Sequence, residues 1–268
     1  MIRFFEAMMT YETIDVKIEL PFAYITLNRP EVKNALNRQM VSDLLAAFED
    51  LRGRSDIRAI ILSGAGGTFC AGGDLNEMRE AYTSGGDTTR YEYDFENLLR
   101  AVNTAPQVVV IKAEGAAMGG GFGLVCVCDI AIASTKLMMG LPEVRLGLAP
   151  AFISTYVLQR IGFTRTRELM LTGRRFTGEQ AKEYGLVHEV IPYDLIDDHI
   201  QVLLGELRQC SPNALAACKA LLLEVADKSP DETLEYRANV LKTLRTSDDA
   251  QEGILAFMQK RAPKWSQL

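Results

Sequence analysis

Apolar positions recur along the first half of the chain in two rhythms. Ala23-Tyr-Ile-Thr-Leu27 alternates at period two, the spacing of a half-buried strand, and Asn28-Arg-Pro30 ends it. Within residues 39–51, Met40, Leu44, Leu45, Phe48 and Leu51 fall on one helical face. Residues 58–63, 107–112 and 129–133 are short, nearly continuous apolar runs, the pattern of strands buried on both faces. From about Pro192 the strand pattern stops. Residues 193–209, 212–228, 230–245 and 247–260 read as four helices, the last three opened by Pro or Ser. Leu241, Leu244, Ile254, Leu255 and Phe257 give this region an apolar face. The order predicts an α/β chain of repeated strand–strand–helix units with a C-terminal helical subdomain. No repeat is visible residue by residue. We place a core domain at 1–200 and the helical region at 201–268, with the boundary zone near 192–210. The helical region is expected to pack on the core or on a neighbouring subunit.

Two glycine-rich stretches follow β-branched runs and open helix-like segments. They are Phe69-Cys-Ala-Gly-Gly-Asp-Leu-Asn-Glu-Met78 and Glu114-Gly-Ala-Ala-Met-Gly-Gly-Gly-Phe-Gly123. The first amides of a helix lack intrahelical acceptors and carry partial positive charge. Glycine lets a ligand oxygen approach such amides closely. Two amides converging on one carbonyl oxygen form an oxyanion hole, which stabilises an enolate or tetrahedral intermediate. The pattern points to chemistry beside a carbonyl group.

Composition narrows this picture. The chain has 268 residues, 48% hydrophobic and 24% charged, as in a globular protein with one substantial core. A formal charge of −6 argues against broad nucleic-acid affinity. Cys70, Cys126, Cys128, Cys210 and Cys218 form no CxxC pair, which fits a reduced, cytoplasmic setting, and Cys126 and Cys128 sit in apolar sequence as core residues. His188 and His199 form no HExxH, so no metal site is expected. Residues 1–9 have too short an apolar run for a secretory leader, and Met8 and Met9 leave the start codon open. The longest apolar stretch, residues 115–128, is too short to span a bilayer, so no membrane segment is expected. The spacing of Gly119–Gly123 is not GxGxxG, and GxxxxGK[ST] and GxSxG are absent.

The stretches FCAGGD and GAAMGGGFG, together with Asn28-Arg-Pro30, Asn34-Ala-Leu-Asn37 and Leu141-Pro-Glu-Val144, resemble the enoyl-CoA hydratase/isomerase (crotonase) family. Gly173-Arg-Arg-Phe-Thr-Gly-Glu-Gln-Ala181, Gly185-Leu-Val187 and Glu252-Gly-Ile-Leu-Ala-Phe257 continue the same order, so the resemblance covers roughly residues 11–265. It implies a crotonase-like fold, an acyl-CoA thioester as substrate, no separate cofactor, and a homotrimer or dimer of trimers. It also implies that the Gly73 and Gly120 amides are the oxyanion donors and that Glu143 moves protons. A glutamate in a mostly apolar pocket has a raised pKa suited to that work.

Hydratases of this family commonly carry a second glutamate where this chain has Gly123. The resemblance therefore leaves three readings: a hydratase adding water across C2–C3, a double-bond isomerase using Glu143 alone, and a catalytically weak acyl-CoA-binding subunit. Restoring a carboxylate by Gly123→Glu would then be expected to speed hydration. Asp74 and Glu77 read as turn or helix-surface residues, while Glu114 has no assigned place. Two short segments, Gly121-Phe-Gly-Leu-Val125 and Glu143-Val-Arg-Leu-Gly-Leu-Ala-Pro-Ala-Phe-Ile-Ser154, resemble the methylglutaconyl-CoA and isohexenylglutaconyl-CoA hydratase branch. That implies a branched or carboxylated substrate, with Phe152 and Ile153 shaping the acyl pocket. For CoA itself, the resemblance points to Arg29, Lys33, Ala35, Ala71, Gly72, Asp74 and Leu75. It adds Phe257 and Lys260 on the last helix as a pair closing the site, often from a neighbouring subunit.

Overall fold

The computed structural model describes residues 11–84 and 89–267; residues 1–9, whose apolar run reads as too short for a secretory leader, lie outside them. In chain order the elements begin with β1 (Ile14–Glu19), β2 (Phe22–Leu27), α1 (Arg38–Arg52), β3 (Ala59–Gly64), α2 (Leu75–Ser84) and α3 (Thr89–Asn103). Then come β4 (Val108–Ala113), β5 (Ala116–Met118), α4 (Gly120–Val127), β6 (Ile130–Ser134), β7 (Met138–Gly140), α5 (Ser154–Thr172), β8 (Arg175–Thr177), α6 (Gly178–Glu183) and β9 (Glu189–Ile191). Four helices close the chain: α7 (Ile196–Arg208), α8 (Pro212–Val225), α9 (Leu234–Arg245) and α10 (Asp248–Met258).

A sheet of order β1-β2-β3-β4-β6-β9 forms the centre, antiparallel only between β1 and β2. The apolar runs are buried on both faces. Ile60, Leu62, Val109, Ile111, Ala131 and Ala133 join one core with α1, α3, α4 and α5. The alternate residues Ala59, Ile61, Val108, Val110 and Ile132 pack under Ile196, Ile200, Leu204 and Leu207 of α7. Position 200, the expected division of the chain, therefore lies inside a helix that covers the sheet. The helix starting at Pro212 is capped by Ser211, and the one starting at Asp248 by Ser247, the serine read as its entry.

A second, small sheet was not legible in the hydrophobic pattern. It comprises β5, β7 and β8, three residues each, with β5 and β7 parallel and β8 antiparallel to β7. Its importance is positional. Gly119 N–H donates to Gly140 O at 3.1 Å, so the small sheet holds the start of α4. Apart from its first residue, α4 is wholly buried, which explains why it lacks an amphipathic pattern.

Candidate active site

Main-chain pairing brings the two glycine turns together. Phe69 N–H donates to Glu114 O and Cys70 N–H to Ala116 O, both at 2.8 Å, and Met118 N–H returns to Cys70 O at 3.0 Å. The chain then turns at Gly72, whose φ of 98° favours glycine. A Cβ there would lie 2.9 Å from Met118 O. On the other side, Leu36 N–H donates to Gly72 O at 2.7 Å and Asp74 N–H to Leu36 O at 2.9 Å. In such a parallel bridge the intervening residue, Gly73, directs its own N–H away from Leu36. Gly120 is the first residue of α4 and its amide is one of the donors a helix leaves unpaired. Among the described residues neither amide has a hydrogen-bond acceptor. Gly73 and Gly120 line one cavity of about 450 Å³.

Glu143 enters that cavity from a 3-10 turn over Pro142–Leu146, which Arg145 ties to Thr172 O at 3.2 Å. Its Oε1 lies against the second glycine turn: a Cβ on Gly119, where φ is 48°, would be 2.9 Å away. Its Oε2 is buried without a hydrogen-bond partner. Burial raises the Glu143 pKa above the ordinary glutamate value. An acid able to exchange a proton thus stands beside the turn that presents the Gly120 amide. The remaining walls are largely apolar and include Met78, Phe95, Leu148, Phe152 and Ile153. Among the described residues that line it none is Lys, Arg or His, and the titratable ones are Glu143, Glu92 and Tyr91.

The other expected residues divide into two groups. Ala71, Gly72 and Leu75 line the cavity with Gly73, Gly120 and Glu143. Arg29 and Asp74 instead pair with each other at 3.0 Å, while Arg29 also donates to Ala35 O at 2.7 Å. Asp74 Oδ1 accepts from Asn76 N–H at 3.0 Å and so caps α2. Asn34, fully buried, accepts from Arg29 N–H and donates to Ala65 O and Thr68 O, which knits this loop to the first glycine turn. Lys33 is exposed, and its carbonyl accepts from Ala71 N–H at 3.0 Å. Phe257 and Lys260 do not line the cavity, and Phe257 is 85% exposed.

Glu77 accepts from Arg38 N–H at 2.9 Å, and Glu114 faces Lys112 at 3.2 Å, so neither acid lines the cavity. The space over Gly123 is not vacant. A Cβ there would overlap Ile153 Cγ2 and lie 3.1 Å from Ile153 Cβ. Gly123→Glu alone therefore cannot place a carboxylate in the site without displacing a buried, β-branched side chain, contrary to the expectation above. Cys70, Cys126 and Cys128 are buried free thiols, and burial pushes those of Cys70 and Cys128 up to about 12. Among the described residues no His/Cys/Asp/Glu group could hold a metal, and no helix is long and apolar enough to cross a membrane. Tyr91, Phe95 and Met78 were not anticipated in the cavity wall, although Tyr91, Phe95, Leu98, Leu99 and Val102 recur at helical spacing.

Comparison with known proteins is consistent along the whole chain. The model of the family described as enoyl-CoA hydratase/isomerase matches residues 18–268. "Probable enoyl-CoA hydratase echA8" of Mycobacterium bovis is 34% identical over 259 residues, covering 96% of this chain and 99% of that protein. A peroxisomal Delta(3,5)-Delta(2,4)-dienoyl-CoA isomerase of Arabidopsis thaliana is 32% identical over 278 residues, covering 98% and 99%. Among solved structures, Pseudomonas aeruginosa AtuE superimposes with a TM-score of 0.93 at 41% identity, covering 96% of this chain and 100% of that one.

Proposed function

The chain belongs to the enoyl-CoA hydratase/isomerase family, and from that premise we propose that it is a hydro-lyase adding water across the C2–C3 double bond of an enoyl-CoA. The observation that carries this reading is Glu143, with one carboxylate oxygen unpartnered and the other against Gly119, in the cavity lined by Gly73 and Gly120. The Gly73 and Gly120 amides hold the thioester oxygen. Glu143 takes a proton from water as the water oxygen bonds to C3, and the π electrons move onto the thioester oxygen as an enolate. The enolate then collapses, and C2 takes the proton back from Glu143. Water is the only other reactant, so no cofactor is required. Each oxyanion donor contributes about 2.7–4 kcal/mol to lowering the barrier in enzymes of this kind.

The apolar walls favour an uncharged acyl chain over a carboxylated one, and the segment resemblance noted above favours a branched one. A distal carboxylate would meet Glu143 with no Lys, Arg or His among the described lining residues, and burying an unpaired charge is costly. A carboxylated substrate would require a cation from a neighbouring subunit. Isomerisation is the second reading. It is favoured by Ile153 filling the space over Gly123, since a single carboxylate can take a proton from C2 and return it to C4. A non-catalytic acyl-CoA-binding role makes no use of the acid placed beside the glycine turn.

For CoA, Lys33, Ala71, Gly72 and Leu75 form the approach, with Arg29, Ala35 and Asp74 bracing the loop beside it. Phe257 and Lys260 serve the site of a neighbouring subunit in a cytoplasmic homotrimer or dimer of trimers. In this arrangement residues 201–268 mediate assembly and closure. A panel of straight, branched, carboxylated and 3-enoyl-CoA thioesters tests the proposal, scored by product mass and by loss or gain of the conjugated thioester absorbance. Hydration of the branched, uncharged ester is expected, and Glu143→Gln should lower turnover by ~10²–10⁴-fold. Unchanged turnover in Glu143→Gln would remove the central assignment.

A further inference from the structure

Tyr91 and Phe95 stand one helical turn apart on α3; Tyr91 reaches Leu36, which pairs with the first glycine turn, and Phe95 reaches the second. The Tyr91 hydroxyl donates to Leu36 O at 3.0 Å. That same carbonyl accepts Asp74 N–H, and Leu36 N–H holds Gly72 O, so Leu36 is the rail from which the Gly73 amide is presented. The Phe95 ring lies by Gly120, where an added Cβ would be 3.3 Å from Phe95 Cζ and 2.8 Å from Leu36 Cδ1. One face of one helix therefore braces both amides that line the cavity.

We propose that Tyr91 is a positioning residue for the oxyanion site, its hydroxyl bond to the Leu36 carbonyl setting where the Gly73 amide points relative to the Gly120 amide. The inference rests on the acyl-thioester reading above. Its physical basis is the softness of the segment it holds. Gly72 and Gly73 have no side chains to lock their conformation, and glycine has the widest backbone freedom of any residue. An oxyanion donor must lie 2.7–3.1 Å from the developing charge, and a misplacement of about 1 Å can lower a rate ~10²-fold. Backbone pairing restrains the strand through Gly72 O and Asp74 N, while Tyr91 adds a restraint from a separate element. Burial raises the phenol pKa, so the hydroxyl remains a donor through the neutral range.

The test is Tyr91→Phe, which keeps the ring and deletes the donor. Turnover of an enoyl-CoA is expected to fall about tenfold with KM nearly unchanged, because contacts to the rest of the thioester persist. The discriminating readout is the infrared carbonyl stretch of bound butyryl-CoA labelled with ¹³C at the thioester carbon. Wild-type protein should shift this band to lower frequency, and Tyr91→Phe should shift it less while melting within a few degrees of wild type. Phe95→Leu, which withdraws the brace from Gly120, should reduce the shift in the same direction. An equal shift and equal turnover in Tyr91→Phe and wild type would overturn the role of Tyr91 alone. A wild-type protein that binds butyryl-CoA without shifting the band would overturn the thioester reading and this role with it.

Discussion

At Gly123, a glutamate side chain would have to enter space already held by Ile153, which is 3% exposed. Overpacking of this kind costs roughly 1–3 kcal/mol in a close-packed core. Gly123→Glu should therefore lower the melting temperature without a gain in hydration, whereas Gly123→Glu with Ile153→Ala should recover stability and is the variant in which a second carboxylate can be tested. Thermal melts and turnover of both variants check this. Glu143 makes a pH prediction. Its base form exists only above a pKa that burial has raised, so the acid limb of kcat/KM should lie above the ordinary value of about 4.3. The sign for stability is opposite. Between the ordinary and raised values the folded protein retains a proton that the unfolded chain has released, so stability falls as pH rises through that interval. Glu143→Gln should lose activity and, at neutral pH, be more stable than wild type in urea titrations. The glycine turns could be read from sequence because close main-chain approach needs glycine at particular places, while the Pro-Glu pair was picked out only by the family resemblance. The Arg29–Asp74 pair could not, because its partners lie 45 positions apart and meet only through folding.

The elements recognised in advance were those whose pattern records one dominant burial rule. The strands beginning at Ala59, Val108 and Ile130 are apolar on both faces, and α1 is apolar on one. The three-residue strands β5, β7 and β8 are too short to show a period, and their pairing rests on backbone bonds that leave no residue signature. The helix α8 is fastened differently. Lys219, 9% exposed, donates to Asp129 Oδ2 at 2.6 Å and to Gln107 O at 3.1 Å, while Asp129 Oδ2 also accepts from Val109 N–H. Burial lowers the Lys219 pKa, and Asp129 partly offsets that. Breaking such a pair from one side leaves an uncompensated charge, a loss of 3–5 kcal/mol when fully buried and about 2 kcal/mol with Asp129 partly exposed. Lys219→Met should therefore lower the urea midpoint, and the double change with Asp129→Asn should restore part of it.

At the scale of the whole molecule, the last three helices expose a run of large apolar side chains. Leu222, Leu234, Leu241, Ile254, Phe257 and Met258 are all at least 49% exposed in the single chain. Burying one such side chain is worth about 1.5–3 kcal/mol, so a face of this size favours association. Sedimentation of the 29.7 kDa chain should give a mass at a multiple of three, and Phe257→Asp should shift it to smaller species while raising KM for CoA esters. The helical character of this region was legible from residues 193–260, but what its exposed face would meet was not, since such a face records no contact within its own chain. The hydrogen bonds that stitch residue 36 to 72, 70 to 116 and 119 to 140 carry one last consequence, for the birth of the protein. The cavity lining runs from Leu36 to Ile153, so no short fragment of the chain contains the site. Contacts so distant in sequence form slowly against chain entropy. Under the proposed mechanism a nascent chain has no turnover until residue 143 has left the ribosome and the strands carrying the two turns have paired, so recovery of turnover during refolding should time the completion of the core.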